Sequence, residues 1–315
     1  MGPSDDARLR QEAMRFLTLR TNDGLDSISR DELLDFMFDG RMFRLVDPTR
    51  GIRKPRELSS ALSIMTTYRA HGAARPYEDE VGGDGFLRYK WSGTDPDHMD
   101  NRGLRAAMDQ QVPLIWFYGV GPSRYQPIYP VYLVDEEPDK HQFVVAIDAS
   151  RDLHRPDSRV EETLRRYVVA ETKRRLHQPV FRATVMRAYE TRCAVCALAH
   201  GELLDAAHIV PDGDEMGIAS VRNGMSLCKI HHAAYDARIL GISPDLVVEI
   251  REDLLKEVDG PMLEYGLKER HGRPLIVLPK TRAEQPDRTL LEFSYQRFRS
   301  GGSDSRQEGV ACNTG

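Results

Sequence analysis

The spacing of apolar positions changes along the chain, and the changes divide it into regions. Residues 1–20 have the period of an amphipathic helix. A second helix is predicted over SRDELLDFMF, with Ser29 as its N-cap and Glu32 placed to close a capping box. RMFRLVDPTRGIRKP mixes strand-like apolar residues with turn formers, and LSSALSIMTTYRA keeps no single period. Strand patterning then takes over. GFLRYKW, PLIWFYGV, PIYPVYLV and QFVVAID are rich in aromatic and β-branched residues and are set apart by Gly, Pro and Asp. One helical stretch, NRGLRAAMDQQ, interrupts them. The pattern predicts an α+β domain over residues 1–155, its short strands curling into a bent sheet or small barrel.

The polar, irregular RDLHRPDSR marks a boundary. Residues 156–188 read as a helical linker that Pro179 breaks into two pieces. A second domain is expected over 189–298, where DLVVEI and PLIVLPK look extended and RTLLEFSYQRF looks like a closing helix. Residues 299–315 read as a Gly/Ser-rich disordered tail. No internal repeat is visible. No apolar run approaches the length of a membrane span, and the charged first residues lack the apolar core of a secretory signal. A cytoplasmic protein is expected.

Charge bears on any affinity for nucleic acid. With 44 Lys and Arg against 49 Asp and Glu, the formal net charge is −5, which is not the basic balance of a typical nucleic-acid binder. A local basic stripe remains compatible with that total. Arg151, Arg155, Arg159, Arg165, Arg166, Lys173, Arg174 and Arg175 read equally as a phosphate track or as a solvated helix face.

Three of the four Cys fall in one short region, a pattern that favours metal binding over disulfides. Cys193-x-x-Cys196 is followed, after 31 intervening residues, by Cys228-x-x-His231. Two such knuckles offer three thiolates and one imidazole, a closed tetrahedral set suited to a structural Zn²⁺. His200 is a rival ligand that breaks the paired symmetry. His232 follows a zinc ligand directly and points elsewhere on a helix. It shares a face with Asp236 at i, i+4, so the two can hold a second cation. His208 sits in the strand-like AAHIV, and Asn223 lies in a loop fifteen residues later. A strand with His, a loop with Asn and a helix with His is the ββα-metal order.

These residues resemble the HNH endonuclease superfamily, in particular bacterial HNH restriction endonucleases with Cys-x-x-Cys and Cys-x-x-His knuckles. The resemblance covers roughly a fifth of the chain. It implies His208 as general base, Asn223 as the residue that orients the base or its loop, and His232 as ligand of a catalytic Mg²⁺ or Mn²⁺. Many members carry a ligand directly before the base, where this chain has Ala207. Asp205 or Asp236 is left to complete the cation site, or Asp236 to hold His232 from behind.

PYEDEVGGDGFLRYKWSG, with NRGLRAA after it, resembles the SRA domain, a PUA-like barrel that reads modified cytosine. The resemblance implies a flipped-base pocket lined by the run Tyr77, Glu78, Asp79 and Glu80 and by Trp91 and Ser92. Tyr77 and Trp91 would stack on the base and Glu80 would read its edge. Glu80 and Trp91 stand where the family has Asp and Tyr, which changes the size of such a pocket. The expected protein is a metal-dependent endodeoxyribonuclease of restriction type, acting on double-stranded DNA that carries 5-methylcytosine or 5-hydroxymethylcytosine, and working as a homodimer. The alternative is a zinc-containing modified-DNA-binding protein with a degenerate nuclease centre.

Overall fold

Helix α1 (Pro3–Arg20) buries Leu9, Ala13 and Leu17, one stripe at i, i+4 spacing, against Ile28, Leu33, Phe36 and Phe117. It belongs to a computed structural model that describes residues 2–68, 86–147, 176–211, 214, 216–217 and 220–304. The chain divides into two compact units, Met1–Ala183 and Thr184–Gly315. The division falls inside the segment expected to be a linker.

In the first unit β1 (Ile28–Ser29) is followed by a capping box, with the Ser29 N–H on Glu32 Oε2 at 2.8 Å and the Glu32 N–H on Ser29 Oγ at 3.2 Å. The long helix expected there does not form. A single 3₁₀ turn, Glu32–Asp35, gives way to β2 (Met37–Phe38), which pairs with β3 (Arg41–Met42). Leu33, Phe36 and Phe38 all enter one core. Residues 33 and 38 lie about 140° apart on a helix, so only an extended chain buries both.

The main sheet has the order β4 (Ile52–Arg53), β5 (Ser63–Thr66), β7 (Leu114–Gly121), β8 (Arg124–Glu137), β9 (Gln142–Ile147), β6 (Leu87–Lys90), and β1 pairs with β8. The β5–β7 pair is parallel and the other pairs are antiparallel. Register shifts along β7 and β8 curl it into a half-barrel. Successive residues of β7 serve two cores. Leu114 and Trp116 join Leu104 and Ala107 of α2 (Met99–Asp109), while Ile115 and Phe117 join the α1 stripe. Helices on both faces explain why PLIWFYGV is an unbroken apolar run.

Pro179 lies in the first turn of α3 (Gln178–Ala188), the helix within which the two units divide, and residues 148–175 before it lie outside the described residues. In the second unit an antiparallel hairpin, β10 (Leu204–His208) with β11 (Gly224–Cys228), runs straight into α4 (Lys229–Asp236). Hairpin β12 (Leu240–Ile242) with β13 (Val248–Ile250), the short helices α5 (Glu252–Lys256) and α6 (Pro261–Gly266), and α7 (Arg288–Asp304) complete the unit. A Cβ at Gly241 would meet the Phe298 ring at 2.4 Å, so glycine there lets α7 pack on β12. PLIVLPK forms no strand beyond a single bridge from Pro274 to Val247. The N–H groups of Ile276 and Val277 go instead to the Ala194 carbonyl in the first knuckle. Helix α7 runs on to Asp304, into the segment expected to be tail. Among the described residues, no helix is long and apolar enough to cross a membrane.

Candidate active site

Cys193 and Cys196 sit on a tight turn in which the Ala197 N–H returns to the Cys193 carbonyl at 2.9 Å. Cys228 ends β11 and caps α4, which places His231 one turn along. The four ligand atoms of Cys193, Cys196, Cys228 and His231 lie within 4.8 Å of one another. His231 Nδ1 is 3.1 Å from Cys228 Sγ and 3.6 Å from Cys193 Sγ, and the other ring nitrogen is held by the Gly266 carbonyl at 2.8 Å. That bond fixes the tautomer that turns Nδ1 toward the thiols. Burial alone would lower the His231 pKa, but hydrogen bonds to Cys193 and Cys228 outweigh it and raise it to about 10. Three soft sulfur donors and one nitrogen in this grouping suit Zn²⁺. His200 is exposed and lies outside the cluster, and Cys312 lies outside the described residues.

His232 projects from the same helix toward two carboxylates. Its Nδ1 is 3.5 Å from Asp205 Oδ2 and its Nε2 is 3.3 Å from Asp236 Oδ2. Lys229 Nζ lies 3.2 Å from both oxygens of Asp205. The two carboxylates meet opposite nitrogens of the ring, so a divalent cation here could take one imidazole nitrogen with one of the two aspartates, not with both. Ala207, directly before His208, is fully buried and paired with Met225. A charged ligand would not be tolerated there, and Asp205 is the carboxylate of β10 that reaches His232.

His208 ends β10 opposite Gly224. Asn223 is fully buried and does not face the cleft. Its Oδ1 accepts from the Val210 N–H at 2.9 Å, its Nδ2 donates to the Val210 carbonyl at 2.9 Å, and its own carbonyl accepts from Ile209 N–H. The chain leaving His208 is thus clamped at two successive residues. Tyr235 adds to this clamp through hydroxyl contacts with the Ile209 carbonyl and Ser294 Oγ, and burial pushes its pKa up to about 12. It stays protonated and serves as an anchor.

His208 and Asp236 line a cleft of 290 Å³ together with Arg238, Arg297 and Phe293. Sequence reasoning missed all three. Arg297 and Phe293 come from α7, whose approach to β12 no local pattern announces. Arg238 left no signal in the sequence either. It takes the left-handed position (φ 54°) after α4, where its N–H meets the Tyr235 carbonyl and the Ile239 N–H meets that of Ala234. Glycine is a common residue there, but Arg238 is one of eleven described non-glycine residues with positive φ.

Of the expected base-pocket residues, Tyr77, Asp79 and Glu80 lie outside the described residues. Trp91 is 5% exposed and packs in the first unit's core near Phe143 and His141, which leaves its faces covered. The Ser92 backbone N–H and carbonyl are both held by the buried Asn101 side chain.

Residues 193–243 match the family model described as HNH endonuclease. No curated protein matches the sequence. One similar solved structure is described as a modification dependent TagI restriction endonuclease, at 18% identity and a TM-score of 0.28, covering 80% of this chain and 85% of that one. A second is described as the type IV phosphorothioation-dependent restriction endonuclease ScoMcrA, at 12% identity and a TM-score of 0.21. This chain spans about half the length of that protein. The match of sequence to family model, over the hairpin, the helix and both knuckles, identifies residues 193–243 as an HNH endonuclease domain.

Proposed function

We propose that the chain is a metal-dependent DNA endonuclease of restriction type that hydrolyses phosphodiester bonds in DNA carrying modified cytosine. The observation that carries this reading is His232 held between Asp205 and Asp236, with Asp236 sharing a cleft with His208, Arg238 and Arg297.

Hydrolysis needs a proton acceptor for water, a clamp on the charged transition state, and help for the leaving 3′-oxygen. An imidazole accepts a proton near pH 7, which suits His208 to the first task. Asn223 cannot act as acid or base; it fixes Ile209 and Val210 and through them the His208 backbone. Arg238 offers its guanidinium group to the phosphoryl oxygens, and Arg297, paired with Asp214 at 2.7 Å, lines the same cleft. His232, with Asp205 or Asp236, would hold a divalent cation, which when bound supplies charge stabilisation to the phosphate and its leaving group. The Cys193, Cys196, Cys228 and His231 set would hold Zn²⁺ with no open position, so its task is to tie β11 and α4 to the first knuckle.

The choice of modified DNA is assigned to the first unit, on the sequence resemblance around Tyr77–Glu80. A single centre per chain calls for two copies to cut both strands. One specific observation favours a second reading, a degenerate centre: Ala207 in the usual ligand position leaves Asp205 shared with Lys229. Cleavage of one plasmid prepared unmodified, cytosine-methylated and hydroxymethylated, with Mg²⁺ or Mn²⁺, separates the two. Native protein should cut and His208→Ala should lose at least ~10²-fold in rate. Binding without cutting under every ion would establish the degenerate reading, and equal cutting of the three substrates would remove the modification.

A further inference from the structure

The stretch 41–56 of the first unit holds six cations, Arg41, Arg44, Arg50, Arg53, Lys54 and Arg56, against one acid, Asp47, in a chain that is acidic overall. Among the described residues Arg50 alone of the six meets a carboxylate, Asp100 at 3.5 Å. Two of the others are held by backbone carbonyls. Arg53 Nε donates to the Arg44 carbonyl at 3.2 Å, and Lys54 Nζ to the Leu58 carbonyl at 3.1 Å. Asp47 is engaged by the Thr49 and Arg50 N–H groups at 2.9 and 3.0 Å. Arg30 is drawn to the same loop through the Pro48 carbonyl at 2.6 Å.

The ribbon continues onto α2. A Cβ at Gly103 would meet Lys54 Cδ at 2.8 Å, so the lysine stem crosses the helix there, beside the exposed Arg102. Arg44 and Arg53 therefore adjoin each other, Arg50 reaches the start of α2 and Lys54 crosses its middle at Gly103. Burial lowers the Arg53 pKa, and Asp47 and Glu57 act against it. Clustered cations raise the local positive potential, and an anion with many phosphates answers it.

We propose that Arg44, Arg50, Arg53, Lys54 and Arg102 form a contact surface for the phosphate backbone of duplex DNA. The choice of DNA over other polyanions rests on the nuclease reading; the surface itself does not.

The test is the salt dependence of binding to a 30-base-pair duplex, using the full chain in a His208→Ala background so that nothing is cut. Arg44→Gln/Arg53→Gln/Lys54→Gln should lower the slope of log affinity against log salt by about 0.9 for each phosphate deprived of its cation, and weaken binding at low salt at least ~tenfold. Arg44→Lys/Arg53→Lys, which keeps the charge, should retain the slope. Arg15→Gln/Lys140→Gln, two exposed cations off the ribbon, should leave it unchanged. Thermal melting of each variant shows that the fold survives. An unchanged slope in the triple variant overturns the proposal, as does an equal loss in the off-ribbon control. So does a loss confined to duplex RNA or to anionic vesicles. Native cleavage, run alongside, separates the two readings. Cutting with an unchanged slope removes the ribbon alone, and a ribbon-dependent slope without cutting removes the nuclease alone.

Discussion

Asn223 and Arg238 show how single residues of the second unit are committed to one task. The Asn223 carboxamide closes a pair of hydrogen bonds with the backbone of Val210, out of contact with solvent. Asn223→Ala leaves a buried N–H and a buried carbonyl unpaired, at about 1–3 kcal/mol each before relaxation. Because the clamp holds the chain leaving His208, kcat should fall at least ~tenfold with KM little changed. Steady-state cleavage with urea unfolding checks both parts, and a variant that loses stability with full kcat would reduce Asn223 to scaffold. Arg238 predicts the opposite combination. Arg238→Gly removes a side chain from a left-handed position that costs an L-residue roughly 1–2 kcal/mol, so the variant should melt higher while cutting at least ~tenfold more slowly. A variant that melts higher and cuts normally would make Arg238 a helix cap and nothing more.

At the scale of elements, one ion-pair network predicts how the half-barrel responds to acid. Glu137 at the end of β8 accepts from Arg88 Nε at 3.0 Å and Gln142 Nε2 at 2.7 Å, with Lys140 at 3.2 Å. Burial alone would raise its pKa, yet Gln142, Arg88 and Lys140 together hold it down to about 2. A carboxylate whose folded pKa lies below its unfolded value of about 4.3 stabilises fully above that value. The contribution fades as pH falls from about 5 to 2. Glu137→Gln should therefore cost roughly 1–3 kcal/mol at pH 7 and nearly nothing at pH 2. Urea midpoints of both proteins across that range test it, and a constant difference would show that packing, not charge, is at stake. What the sequence made legible also divides by element. Cys193, Cys196, Cys228 and His231 were found because each knuckle is local, and the spacing states the chemistry. The β7, β8 and β9 runs were found because their aromatic and β-branched residues are contiguous. Hidden were features decided by distant partners. The helix expected after Ser29 yields to Phe38 entering a core shared with Phe117, and the cleft's Arg297 arrives on a helix some sixty residues beyond α4. Trp91 looked available because an aromatic near a turn carries no mark of the Phe143 and His141 rings that cover it.

For the molecule as a whole, the two compact units differ in what holds them together, and the chain carries its own means of telling them apart. The first unit has extensive apolar cores on both faces of its sheet, and it contains both tryptophans of the chain, Trp91 and Trp116, each buried in one of those cores. The second unit combines two short hairpins with helices of which α7 is the longest, and the Cys193, Cys196, Cys228 and His231 cluster joins the first knuckle to the end of β11 and the start of α4. Two-stranded hairpins are marginal alone, and a closed metal site of this kind contributes folding free energy directly. Removing the cluster's metal with a strong chelator at pH 7, then restoring Mg²⁺ in excess, should therefore abolish cleavage and lower the melting temperature of one transition, seen by circular dichroism. Tryptophan emission, which reports the first unit, should keep its maximum and its own unfolding midpoint. Cys228→Ser should reproduce the effect without a chelator. If chelation instead shifts tryptophan emission to that of the unfolded chain, the metal site holds more than its own domain. If it changes neither melting nor emission, the four residues do not stabilise the fold in the way their grouping suggests.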